Sequence, residues 1–239
     1  MKNKLIFILL TLFTTIQMFG QEEKNTLSPK FLWGITVATG LSKINTKFIE
    51  KPDRTFYDYK SSFQFSSSVG LFVQKQIKNN ILLESGLLYS TIRGNESYNY
   101  KEGYGDPLQP YYSTYKHIYV DYSKTTLKYI HLPFLIGYSY KKVSIFTGFQ
   151  IGYNISAYNE DRGSLIFIIP PSTSFGSESD IDVPKYSFDG IFKFNISLGK
   201  GWLMGTRFYY QLTENTFYTV SQNYFGANLS LQYMINYKN

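Results

Sequence analysis

Apolar and small polar side chains alternate through residues 143 to 158: Val143, Ile145, Phe149, Ile151, Tyr153 and Ile155 fall on one parity, Ser144, Gly148, Gln150, Gly152, Asn154 and Ser156 on the other. A period of two sends successive side chains to opposite faces of a sheet, so the segment predicts a strand between two different environments. A face turned to water would carry Lys, Glu and Arg. This one carries Gly, Ser, Asn and Gln, which suits an enclosed space.

Seven more segments alternate in the same way. Phe31, Trp33, Ile35, Val37 and Leu41 oppose Gly34, Thr36, Ala38 and Gly40 over 31–41, and Phe63, Phe65, Val69, Leu71 and Val73 oppose Gln64, Ser66, Ser68, Gly70 and Gln74 over about 62–75. In 81–92, Ile81, Leu83, Leu87 and Tyr89 stand against Leu82, Glu84, Gly86, Leu88 and Ser90. In about 125–138, Ile130 to Tyr138 stand against His131, Pro133 and Gly137, with Lys128 placed on that second face at the rim. Tyr186 to Leu198 oppose Ser187, Asp189, Lys193, Asn195 and Ser197. Trp202 to Leu212 oppose Gly205, Arg207, Tyr209 and Gln211, and Phe225 to Tyr237 oppose Gly226, Asn228, Ser230 and Gln232. No helical period competes with these eight strands.

The connections alternate in length. Strands two to three, four to five and six to seven are joined by short polar turns, whereas 42–61, 93–124, 159–185 and 213–223 are long, and both termini fall on the short side. Short turns at one end and long loops at the other predict an eight-stranded antiparallel up-and-down transmembrane β-barrel of the outer-membrane kind. Volume sets the direction of the faces. An eight-stranded interior is only just wide enough for side chains, so small and polar residues suit the inside and the large apolar set suits lipid. The inverted, lipocalin-like alternative would require a charged exterior that the alternation does not supply.

Composition supports export and a membrane surface. Met1 to Lys4 is a short basic start, Leu5 to Ile16 an apolar run too short to span as a helix, and Gly20 a small residue before polar Gln21; this reads as a signal peptide over 1–20, followed by a linker over 21–30 and a barrel domain over 31–239. The location expected is the outer membrane, with its lipid as the first partner. Aromatics make up 19% of the chain, with 23 Tyr and 20 Phe, a density that suits interfacial girdles. There is no Cys, so lipid attachment through a cysteine, disulfides and thiolate metal sites are excluded. The net charge of +7, two of it from Lys2 and Lys4, is dispersed and argues against nucleic acid as a partner.

The stretch Leu127-Lys128-Tyr129-Ile130-His131-Leu132-Pro133-Phe134-Leu135-Ile136-Gly137-Tyr138, followed after a short turn by Phe146-Thr147-Gly148-Phe149-Gln150-Ile151-Gly152-Tyr153, resembles the PorT-like outer-membrane β-barrel family of Bacteroidota. The resemblance implies an outer-membrane location and, for some members, a part in type IX secretion or gliding. His131 stands where that family usually has a lumen-facing Glu, so the interior carboxylate pairing of the family does not carry over.

Enclosed charges need partners, and Glu84, His131, Asp189, Lys193 and Arg207 are expected to form a structural polar network in the lumen. The loop 93–124 is the candidate binding surface, with Tyr98, Tyr100, Tyr104, Tyr111, Tyr112 and Tyr115, then Tyr119 and Tyr122, among small and charged residues; it suits an extracellular glycan or protein. His117 with Ser113, Asp106 or Asp121 is the one arrangement that would suit hydrolysis at the outer rim, and no nucleophile-elbow context supports it. No metal or cofactor is expected. Four Asn-x-Ser triplets occur, at Asn95, Asn154, Asn195 and Asn228; three of them lie inside strands, where Asn and Ser fall two apart because both face the lumen, so they are read as products of the alternation and not as glycosylation sites. Residues 165–169 are expected to extend a strand beyond the bilayer or to pack on the rim, and 172–180 to be flexible. A non-catalytic scaffold or binding barrel leads; a secretion or gliding accessory subunit is second, and a small outer-membrane enzyme or soluble carrier third.

Overall fold

The computed structural model describes residues 31–48, 54–78, 80–104, 114–167, 173–181, 183–217 and 220–235. Ten strands follow in order: β1 (Phe31–Phe48), β2 (Arg54–Lys78), β3 (Ile81–Tyr104), β4 (Thr114–Tyr140), β5 (Val143–Phe167), β6 (Thr173–Asp180), β7 (Tyr186–Gly199), β8 (Trp202–Gln211), β9 (Asn215–Phe217) and β10 (Val220–Met234). Eight of them are staves of one antiparallel sheet in the order β1-β2-β3-β4-β5-β7-β8-β10, and β1 pairs with β10 to close the ring. β6 pairs only with the outer part of β5, and β9 with the outer part of β10. Among the described residues closure leaves no free edge in the ring of eight staves, which is the condition for a sheet to sit in hydrocarbon; the outer edges of β6 and β9 lie beyond that ring.

The orientation follows the alternation. Ile35, Val37, Leu71, Leu87, Ile136, Ile151, Phe192, Phe208 and Leu231 are exposed on the outer wall, while Thr36, Ser68, Glu84, His131, Gln150, Asp189, Lys193, Asn195, Arg207 and Asn228 are buried in the lumen. The short end is made by tight reversals. Lys141 takes a positive φ between β4 and β5, and Gly199, Lys200 and Gly201 all do so between β7 and β8, a run in which the two glycines adopt the left-handed region without steric cost.

Strand lengths differ from expectation. β2, β3, β4 and β5 contain 25, 24, 27 and 25 residues, against the roughly 9–11 that a tilted strand needs to cross a bilayer. Much of the expected loop 93–124 is therefore sheet: β3 and β4 remain paired from Ile81 opposite Tyr138 to Tyr104 opposite Thr114. Likewise 173–180, expected to be flexible, is β6, held by backbone pairing to Tyr158–Leu165. Leu165 to Phe167 do extend β5. Alternation marks a strand clearly only where its two sides meet different solvents. Beyond the bilayer both sides are polar and the pattern fades.

Two bulges in the pairing of β4 with β5 reset the faces there. On β5, Lys128 is paired with Ser156 and Tyr129 with Asn154, so Ile155 is the extra residue; past it Ala157 is buried and Ser156, expected inside, shares the outward side with Lys128. Lys128, expected on the face of His131, is exposed beside Ile130, because β4 keeps its parity there. The second bulge, at Asp121 of β4, lies between Val120 and Tyr122.

The interior is not filled by small residues alone. Ile44, Ile92, Leu127, Tyr129, Leu135, Phe146, Ile191, Tyr209 and Tyr224 form a buried apolar cluster, and Phe72, Leu203 and Met234 form another. Glycines on neighbouring staves, each paired directly with an aromatic, make the room. A Cβ at Gly137 would lie 2.3 Å from the Phe146 ring, and one at Gly226 would lie 2.4 Å from the Tyr209 hydroxyl.

Candidate functional site

The lumen charges are assembled by parity. Glu84 lies on the inward face of β3, His131 of β4, Gln150 of β5, Asp189 and Lys193 of β7, Arg207 of β8 and Tyr224 of β10. They form two clusters. In the first, Lys193 Nζ reaches across the barrel from β7 to β3 and donates to both Glu84 oxygens at 2.6 and 2.8 Å. Gln74 Nε2 donates to Glu84 Oε2 at 2.7 Å, and the ammonium also lies 5.4 Å from the Phe146 ring centre and 5.9 Å from that of Phe72. Hydrogen bonds and aromatic faces together replace the water that a buried ammonium has lost.

The second cluster centres on Asp189. Tyr224 donates its hydroxyl to both carboxylate oxygens at 2.9 Å, Gln150 Nε2 donates to Oδ2 at 2.5 Å, and His131 Nε2 stands 3.4 Å from Oδ2. Arg207 donates to the Gln150 carbonyl oxygen, so Gln150 relays between cation and carboxylate. Sequence reasoning named Glu84, His131, Asp189, Lys193 and Arg207, and the structure places all five in the lumen. Arg207 meets neither carboxylate directly. Gln74, Gln150 and Tyr224 were missed as partners, although the parity of their strands carries Gln74 and Gln150 inward.

Ser90 Oγ lies 3.0 Å from His131 Nδ1, and Asp189 lies at the other ring nitrogen, so a hydroxyl, an imidazole and a carboxylate stand in series. Such a series serves nucleophilic catalysis only where a substrate reaches the hydroxyl. Here all three side chains are buried. Among the described residues the cavity beside them, lined by Ser90, His131, Gln150 and Arg207, is about 10 Å³, and that beside Glu84 and Lys193 is about 20 Å³. Each is on the scale of about one water molecule.

Above the bilayer the strand extensions carry a further cluster, which the sequence reading missed by ending the third strand at residue 92. Glu96 continues the inward parity of β3 and is buried. It accepts bonds from Tyr59 of β2 at 2.5 Å and from Thr46 of β1 at 2.7 and 2.8 Å, while Gln222 of β10 donates to Thr46 at 3.0 Å. Burial raises the Glu96 carboxyl above the ordinary carboxylate range. Tyr59 is pushed up to about 12 by burial and by the charge of Glu96. Four staves are thus tied together at the outer mouth.

Of the tyrosines expected to bind, Tyr98 is half-buried on β3, and Tyr100, Tyr104 and Tyr115 belong to the backbone pairing of β3 with β4. Tyr119 and Tyr122 are half-buried on β4. Tyr111, Tyr112, Ser113 and Asp106 lie outside the described residues, as do the expected signal peptide 1–20 and linker 21–30. His117 pairs through its backbone with Lys101 and Ile166, and Asp121 is exposed at the β4 bulge. No group of three or more His, Cys, Asp or Glu side chains among the described residues is placed to hold a metal ion.

A closed ring of eight staves with an apolar outer wall and a polar, filled lumen defines an integral outer-membrane barrel. Residues 19–217 match the outer membrane protein beta-barrel domain, and the chain belongs to that family. No curated protein matches the sequence. Solved structures similar to this chain include Ail of Yersinia pestis (9% identity, covering 84% of this chain and 99% of Ail, TM-score 0.31), OprG of Pseudomonas aeruginosa (11%, 87% and 96%, 0.33) and the protease OmpT of Escherichia coli (10%, 88% and 99%, 0.33).

Proposed function

We propose that the protein is a non-catalytic binding or scaffold barrel whose lumen is a structural plug and whose working surface is the outer extension of β2 to β5. The observation that carries the reading is the Lys193–Glu84 bridge across the lumen together with the Asp189 cluster, beside which the cavities among the described residues are on the scale of a water molecule. A solute has no path through such an interior, and the Ser90–His131–Asp189 series has no room for a substrate. The extension instead offers rigid paired strands with Tyr98, Tyr119 and Tyr122, aromatic contact area that loses little entropy on binding a glycan or protein. On this reading residues 1–20 are a cleaved leader and 21–30 a linker. Planar-bilayer recording of the refolded chain should give no steady single-channel current. Replacing residues 99–119 by a short Gly/Ser turn should abolish capture of extracellular glycan or protein while the barrel still shows heat-modifiable migration. Steady conductance, or undiminished capture by the trimmed chain, would refute it.

The second reading, an accessory subunit of type IX secretion or gliding, is favoured by the PorT-like wording of β4 and β5. It predicts reproducible crosslinking to secretion components in intact outer membrane, and the plain scaffold reading predicts none.

A further inference from the structure

On the outer wall, Arg93 of β3 lies directly opposite Thr126 of β4, with Lys128 and Lys124 two residues to either side of Thr126 on the same face. Their inward neighbours Ile92, Gly94, Thr125 and Leu127 are all buried, which fixes the outward direction of the three cations. Diagonal neighbours across a strand pair are about 7–8 Å apart, so three long basic side chains converge on one phosphate-sized area. Lys43 of β1 adds a fourth from the side: its ammonium stands 5.9 Å over the ring of Phe63, which is paired with Gly94 next to Arg93.

The depth of the cluster is set by the apolar wall below it. Tyr140, Tyr138, Ile136, Phe134, Leu132 and Ile130 face outward on β4, and Lys128 is the next outward position; on β3 the wall ends at Tyr89, then Thr91 and Arg93 follow. Roughly 9–11 residues carry a tilted strand across the hydrocarbon, which puts Lys128 and Arg93 at the level of the outer headgroups. Among the described residues none of Lys43, Arg93, Lys124 and Lys128 joins an ion pair. Glu160, opposite Lys124, is held by Arg162 at 2.8 Å. Lys124 thus has an acid across from it that Arg162 shares, whereas Arg93 and Lys128 stand opposite only Thr126, Thr91 and Ser156 and Lys43 opposite Phe225, so the excess positive charge at this depth faces lipid and attracts an anionic headgroup.

We infer that Lys43, Arg93, Lys124 and Lys128 form a docking site on the outer wall for the phosphorylated headgroup of an outer-leaflet glycolipid. Arg93 suits the phosphate itself, since its planar guanidinium donates two parallel bonds to phosphate oxygens, and the lysines supply charge around it. Thr126 and Thr91 between them add hydroxyl donors, and the exposed Phe63 ring lies beside them on β2 at the level of Gly94.

The test is native mass spectrometry of the full chain, refolded and exposed to lipid A or to dephosphorylated lipid A. An R93Q/K128Q variant is compared with a K141Q/K142Q variant, which removes the same charge at the opposite rim; heat-modifiable migration confirms that both fold. At about 1 kcal/mol per basic residue near a charged membrane surface, two residues make about 2 kcal/mol, so R93Q/K128Q should retain lipid A roughly 30-fold more weakly. K141Q/K142Q should retain it as the unaltered chain does, and millimolar inorganic phosphate should not displace it. Equal retention by R93Q/K128Q, equal loss in K141Q/K142Q, undiminished binding of the dephosphorylated lipid, or displacement by free phosphate would each overturn the inference.

Discussion

Replacing Lys193 by Met tests the lumen most directly. The substitution keeps the length of the side chain and removes the charge, leaving Glu84 buried with Gln74 as its remaining donor. At 2.6 to 2.8 Å and an effective dielectric constant near 20, the lost attraction is ~6 kcal/mol before desolvation is counted. Part of that is offset, because the ammonium no longer has to be kept out of water. The net cost of breaking one side of a buried pair is about 3–5 kcal/mol. Removing both charges in K193M/E84Q should recover more than half of the loss, since a neutral amide beside a thioether leaves no uncompensated charge in the lumen. The assay is reversible urea unfolding in detergent micelles, followed by the fluorescence of Trp33 and Trp202, both on the lipid-facing wall. A K193M cost below about 1 kcal/mol, or a double variant as unstable as the single one, would show that the bridge does not hold β7 to β3.

The outer mouth should respond to pH with a defined sign. Burial raises the Glu96 carboxyl above its unfolded value of 4.5, so its contribution to stability is fully present below that value and is lost as pH rises through the raised one. Amide exchange in residues 94–98, corrected for intrinsic rates, should show protection falling over that window, and Glu96→Gln should remove the dependence; protection rising with pH would contradict it. Gly137→Val should overpack the lumen against Phe146 and cost about 1–3 kcal/mol in the same urea assay, and a neutral result would mean that the Phe146 ring does not fill the space over Gly137. Ile151→Arg, in the middle of the outer wall, should cost about 2–4 kcal/mol, and a spin label at Ile151 or Phe194 should be reached by a lipid-soluble quencher; access from water would reverse the orientation of the whole barrel.

How far the sequence discloses this molecule depends on where each residue sits relative to the bilayer. From Ile130 to Tyr138 the wall separates lipid from a polar lumen, and a period of two is enough to give the strand, its faces and its partner. From Arg93 to Tyr104 the same strand stands in water on its outer side, so Asn95, Ser97 and Asn99 do not contrast with what lies inward, and the segment reads as loop. Bulges are equally silent. Nothing in Asn154-Ile155-Ser156 announces the extra residue, because it is fixed by pairing with β4, and that is why Ser156 was assigned to the wrong face. In the lumen, the ionisable groups stand out by rarity, so Glu84, His131, Asp189, Lys193 and Arg207 were legible one by one. Who meets whom was not: the reach of Lys193 to Glu84 depends on stagger around the ring, and Gln150 became the bridge to Arg207 only through its place between β4 and β7. Glu96 was recoverable in principle, as its even parity with Glu84, Leu88, Ser90 and Ile92 continues without interruption.

The seam between the first and last staves has a consequence for biogenesis. Gly34 is bonded opposite Met234 and Phe48 opposite Val220, so the contact that seals the tube is also the one most distant along the polypeptide. Every other stave meets its neighbour soon after both exist, whereas this join waits for the final segment and bears the largest loop-closure entropy. Until then two naked rims of backbone donors and acceptors stand open, ready to recruit foreign strands. Insertion into hydrocarbon and completion of the circle must therefore coincide, and a chain shortened by its last few residues would be trapped before the membrane rather than weakened within it.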